Sequence, residues 1–125
     1  MINIPVSIGE LVDKVSILNI KLQKISNPDK LLLVSQELNL LLDIMYQQGI
    51  HQNDTQYIQL LDINTQLWDI EDQIRILEKN KQFDQLFINL TRKVYLTNDQ
   101  RASIKKKINL RFNSEIQEVK EYIQY

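Results

Sequence analysis

Hydrophobic positions recur at steps of three and four along most of this 125-residue chain, the period of helices that bury one face. Ser7-Ile8-Gly9-Glu10 has the spacing of a capping box, in which hydroxyl and carboxylate satisfy each other's orphan backbone N–H groups. An apolar stripe follows at Ile8, Leu11, Val15, Leu18, Leu22 and Ile25, which predicts the first helix. Ser26-Asn27-Pro28 breaks it, and Pro28 suits the first position of a second helix over 28–48, striped by Leu31, Val34, Leu38, Leu41 and Met45 and stopped by Gly49. A connection this short favours an antiparallel pair. Residues 49–55 read as a loop ending in two N-cap candidates, Asp54 and Thr55. The third helix, over 56–79, carries Leu60, Ile63, Leu67, Ile70, Ile74 and Leu77 and ends at Asn80.

Beyond it the pattern predicts one long helix over 82–112 with Leu86, Phe87, Leu90 and Val94 on its stripe. Asn98 and Asp99 either sit inside that helix, with or without a kink, or cap a fifth. The closing SEIQEVKEYIQY is expected to pack as a short helix or tail, and the opening INIPV reads as extended. The fold class is therefore all-α: an antiparallel bundle of four to five helices, in one domain over 1–125.

A second, polar line runs beside the apolar line of the third helix: Asn64, Trp68, Glu71 and Arg75, spaced four, three and four, share one face. Their heads are expected to lie partly buried at the edge of the seam. The first helix has a comparable line in Glu10, Lys14, Ile17 and Lys21, with Glu10 and Lys14 as an i,i+4 pair. The fourth places Tyr95, Asn98, Asp99, Arg101, Ala102 and Lys105 where apolar residues would have continued the stripe. Lys14, Lys21, Arg75, Arg101 and Lys105 would then balance Glu10, Asp13, Glu37, Glu71 and Asp99, with Trp68 and Tyr95 as walls. Two readings stay open. Such charges fix helix register as ion pairs, or they form a pocket in which Arg and Lys take an oxyanion and an aromatic face stacks on a ring.

Composition narrows the chemistry. Without Cys there is no disulfide, thiolate nucleophile or Cys-ligated metal, and one His cannot build a His-rich metal site or a triad beside Ser7, Ser16, Ser35, Ser103 or Ser114. A net charge of −1 gives no field for nucleic acid, and the basic run Ile104 to Asn109 is followed by glutamates. Acidic residues precede any long apolar run at the start, and no run approaches the ~20 residues of a membrane span. The expectation is a soluble cytoplasmic protein without membrane or nucleic-acid partners.

The strings IPVSIGELVDKVSILNIK, LWDIEDQIR, VYLTNDQRASIKKKIN and SEIQEVKEY resemble a family of small bacterial and phage proteins known only as a domain of unknown function, and the likeness spans nearly the whole chain. The family's recurring polar positions fall on Glu10, Asp13, Lys14, Lys21, Glu37, Trp68, Glu71, Asp72, Arg75, Tyr95, Asn98, Asp99, Arg101, Lys105 and Asn109. Val119 and Glu121 depart from its terminal pattern. The resemblance implies that the mixed-charge flanks are a family feature; it implies no activity, and the proximity of some relatives to surface-polysaccharide genes hints at sugar nucleotides.

Three function classes remain. The first is a binder of a small anionic ligand of nucleotide, sugar-nucleotide or phosphosugar type at Lys14, Lys21, Trp68, Glu71, Arg75, Tyr95, Asn98, Asp99, Arg101 and Lys105, needing no cofactor, with Glu71 orienting Arg75. The second is a Mg2+-dependent hydrolase acting on a nucleotide-type substrate, in which the i,i+3 pairs Glu10 with Asp13 and Asp69 with Asp72 hold the ion. The third is a helical interaction protein, a homodimer whose ion pairs are structural only. A chorismate-mutase-like helical site is an analogy without a matching motif.

Overall fold

The computed structural model describes residues 1–124. Among them there are four α-helices and no strand: α1 (Ile8–Lys24), α2 (Pro28–Gln47), α3 (Thr55–Lys79) and α4 (Gln85–Arg111). This is the all-α bundle that the periodicity implies. Each start has a side-chain cap that accepts orphan N–H groups. Ser7 Oγ accepts from Glu10 N–H at 3.1 Å, Asn27 from Asp29 and Lys30, Asp54 from Gln56 and Tyr57, and Asp84 from Phe87. Three ends share one device. Gly49, Lys81 and Asn113 take φ values of 84°, 53° and 51°, and the next residue's N–H reaches back to Met45, Leu77 or Asn109 in the Schellman pattern.

α4 begins at Gln85 rather than 82, because Lys81 turns left-handed and Asp84 supplies the cap. It then runs unbroken through Asn98 and Asp99, so no fifth helix starts there. The segment from Ser114 onward forms no helix over 114–124, and Tyr125 lies outside the described residues. Ser114 pins its beginning: its N–H donates to Asn109 O at 2.8 Å, its Oγ accepts from Ile8 N–H and donates to Ile116 O.

α1 is the central element. It packs against the other three helices and α3 packs against α4, whereas α2 approaches α1 alone. Val12, Val15 and Leu18 of α1 meet Leu38 and Met45 of α2, Tyr57, Leu60 and Leu67 of α3, and Ile104 and Ile108 of α4. Each such side chain contributes about 1.5–3 kcal/mol on burial. A second cluster, Ile70, Leu77 and Leu90 with Phe87 and Val94, fills the α3–α4 hairpin where no α1 residue takes part. Gly9 sets the α1–α4 approach: a Cβ there would stand 2.6 Å from the carbonyl oxygen of Lys105, and its N–H donates to Asn109 Oδ1 at 2.6 Å. From that contact the rungs Glu10–Lys105 and Asp13–Arg101 follow in antiparallel order.

Candidate functional site

Asp13 sits in LVDKV, among buried Leu11, Val12 and Val15, and its side chain is 0% exposed. A carboxylate in such a place is retained only with partners. Arg101 supplies two, donating from Nε to Oδ1 at 2.9 Å and from Nη2 to Oδ2. Asn64 Nδ2 donates to Oδ1 at 2.8 Å and also reaches Ser16 Oγ, which in turn donates to the Asp13 backbone oxygen at 2.6 Å. Lys105, 6% exposed, lies 3.9 Å from Asp13 Oδ2 and donates to Glu10 at 2.7 Å and to Glu118 at 2.8 Å.

The fork from Asp13 raises the pKa of Arg101. Burial opposes the charge on Lys105, but the hydrogen bonds to Glu10 and Glu118 outweigh it, so its pKa also lies above the ordinary lysine value. Lys105 in turn lowers the pKa of Glu118. Among the described residues no buried side-chain nitrogen or oxygen lacks a hydrogen-bond partner.

Around this network runs a series of grooves. One of about 170 Å3 is lined by Ile17, Ile20, Asn64, Leu67, Trp68, Glu71, Asn98 and Arg101. Glu71 also lines a second of about 270 Å3, with Ile74, Arg75 and Val94 and with no α1 residue. Through Asn98 the first groove meets a third of about 400 Å3, with Tyr95, Asp99, Tyr122 and Ile123. Asp99 and Tyr122 join that one to a fourth of about 500 Å3, between α4 and the C-terminal tail, which Lys105 also lines.

Trp68, Glu71, Arg75, Tyr95, Asn98, Asp99, Arg101 and Lys105 thus all face this belt. Lys14 and Lys21 line none of the four grooves; Lys14 instead pairs with Glu37 across α1 and α2 at 3.6 Å. The geometry revises several pairings. Glu10 bonds Lys105 rather than Lys14. Glu71 and Arg75 are exposed rather than partly buried, and among the described residues they form no ion pair with each other, so Glu71 does not orient Arg75. Trp68 is half-buried.

The carboxylates considered for Mg2+ are dispersed: Glu10 and Asp13 each face cations, Asp69 pairs with Lys24 at 3.1 Å, and Asp72 is exposed. Among the described residues no group of three or more His, Cys, Asp or Glu side chains is placed to hold a metal ion. His51 is exposed and stacks on Tyr46.

Ser16, Ser114 and Glu118 belong to the network but escaped the sequence reading. Only Ser16 left a signal there, since it lies one helical turn beyond Asp13 on the same face.

These residues fill the strings that suggested a likeness, and the match extends over residues 2–124. The chain belongs to a family of unknown function (DUF6165). No curated protein and no solved structure matches it. Among the described residues of this family member, no helix is long and apolar enough to cross a membrane.

Proposed function

We propose that the protein binds a small anionic ligand carrying a ring, of nucleotide, sugar-nucleotide or phosphosugar type, in the groove of Trp68, Glu71, Asn98 and Arg101. The observation that carries this reading is that Glu71 lines both that groove and the neighbouring one of Arg75. The two grooves side by side present a stacking surface, a carboxylate, an amide and a guanidinium, the mix of apolar wall and few polar groups that small-molecule sites use. Arg101 spends Nε and Nη2 on Asp13, which leaves Nη1 for a ligand. Arg75 has no ion-pair partner among the described residues and is the cation available for a phosphate or carboxylate. The ring would lie against Trp68, its polar edge towards Asn98 and Glu71. No observation favours the Mg2+-dependent hydrolase.

Trp68 fluorescence and thermal unfolding against nucleotides, sugar nucleotides and phosphosugars test the proposal. A ligand at a hundredfold excess over its Kd adds about 2.7 kcal/mol to the folded state, a rise of several degrees in Tm. Arg75→Ala should abolish the response while leaving Tm in the absence of ligand unchanged. Silence across the panel would remove the reading.

Self-association is a second reading, favoured by the exposed Leu33, Leu40 and Ile44 on the side of α2 turned away from its buried Leu38 and Met45. Sedimentation velocity tests it; a monomer at all concentrations rules it out.

A further inference from the structure

α2 carries two apolar stripes. Val34, Leu38, Leu41 and Met45 join the core beside α1, and on the opposite side Leu33, Leu40 and Ile44 are 66%, 51% and 43% exposed. A helix that is apolar on both sides belongs between two neighbours. Here it has one, since α2 packs against α1 alone. The outer side also has an order: Lys30, Leu33, Glu37, Leu40, Ile44 and Gln47 are all exposed and stand three, four, three, four and three residues apart, the spacing of a coiled-coil seam. Leu32, though 59% exposed, lies about 100° round the helix from Leu33 and off that line.

This run of spacings is a palindrome, so the seam matches itself when two copies run antiparallel. Setting Leu33 of one copy opposite Ile44 of the other also sets Glu37 opposite Leu40 and Lys30 opposite Gln47. An apolar layer of Leu33 and Ile44 then forms on each side of a centre made of Leu40 and the stem of Glu37, whose carboxylate is paired with Lys14 of its own chain at 3.6 Å. Lys30 comes to the last residue of the partner's α2, a helix end with no basic residue in its final turn, where the helix dipole favours a cation. A parallel pair has the opposite electrostatics, because it stacks Glu37 on Glu37 and Lys30 on Lys30.

We propose that the outer face of α2 docks a second copy of this chain, through an antiparallel two-fold seam centred on Leu33, Leu40 and Ile44. The seam rests on the self-association reading and supplies its surface, direction and register; it does not involve the Trp68 groove. One helix from each chain takes part, which puts the contact at the small end of specific interfaces, below about 1,200 Å2 in total. The pair therefore forms and separates at micromolar concentrations and is not obligate.

The test is sedimentation velocity of the full chain over about 1 µM to 1 mM, with single-cysteine cross-linking beside it, since the chain has no cysteine of its own. The unaltered chain should pass from monomer to dimer across that range. Leu40→Lys should weaken dimerisation more than about tenfold, while Leu32→Lys, exposed but off the seam, should leave it unchanged. Circular dichroism should show the same helical content in both variants, because neither side chain is buried. Mixing Leu33→Cys with Ile44→Cys should give the mixed disulfide in preference to either like pair: the seam sets Leu33 beside Ile44, whereas two copies of Leu33 lie about 16 Å apart along the axis. A monomer at every concentration overturns the seam and the self-association reading together. A dimer that Leu40→Lys leaves intact, or a disulfide that joins two Leu33→Cys chains in preference to the mixed pair, overturns the seam alone.

Discussion

Identical residue types take opposite roles here according to burial. Arg101 and Arg75 both lie on helix flanks rich in acids, yet Arg101 forks onto a fully buried carboxylate whereas Arg75 is exposed. Removing one partner of a buried pair leaves the other charge uncompensated, at a cost of about 3–5 kcal/mol. Arg101→Met should therefore cost stability of that order in urea unfolding, while Arg75→Ala should stay within about 0.5 kcal/mol of the unaltered chain. Similar losses for the two would show that the Asp13 network is not what holds α1 against α4. Gly9 gives a second contrast. Gly9→Ala places a methyl 2.6 Å from a backbone oxygen that cannot rotate away, so α1 and α4 must separate. The overpacking should cost about 1–3 kcal/mol and shift the Asn109 side-chain amide resonances in NMR spectra. An unchanged melting temperature would mean that the two helices slide apart freely.

Helix ends were the part of the fold most open to reading, because caps are local chemistry. Asn27-Pro28, Asp54 and Gly49 sit where the sequence places them, and α2 and α3 begin or end within one residue of expectation. Lys81 was illegible, since nothing in a lysine announces a left-handed backbone. That conformation costs about 1–2 kcal/mol for a residue with a Cβ, so Lys81→Gly should raise stability by about 0.5–1 kcal/mol after glycine's own entropy is deducted. A lower Tm would show that the lysine side chain matters at that turn.

Asp54 has two tasks, capping α3 and accepting a fork from Arg111 at the end of α4. The Arg111 fork is the main reason its pKa falls below the ordinary 3.8. A depressed carboxylate pKa stabilises the fold above the ordinary value and loses that contribution as pH falls through the lowered one. Asp54→Asn keeps the cap but removes the charge. It should cost under about 1 kcal/mol at neutral pH, because Arg111 is half exposed, and the deficit should close as the pH falls through the lowered pKa of Asp54. A deficit independent of pH would assign the loss to the cap instead.

At the scale of the whole molecule, the net charge of −1 conceals a segregated pattern: the cations of α4 at 101 and 105 are neutralised by acids of α1 and of the tail. The polar line of the third helix was readable as a face, but which cation meets which acid depends on how three helices cross, and no spacing within one helix records that. The same limit applies to α2. Its stripe of Leu31, Val34, Leu38, Leu41 and Met45 predicts one buried face, yet only Leu38 and Met45 of its 20 residues are buried, and it leans on α1 alone. A helix with so little buried can open without disturbing α1, α3 and α4. Native-state hydrogen exchange should therefore show α2 amides exchanging through an opening several kcal/mol cheaper than the one that exposes α1, whose amides should report global unfolding. If α2 proves as slow as α1, its outer face of Leu33, Leu40 and Ile44 must be covered in solution. Protection that then rises with protein concentration would identify a second copy of the chain as the cover, because only association depends on concentration.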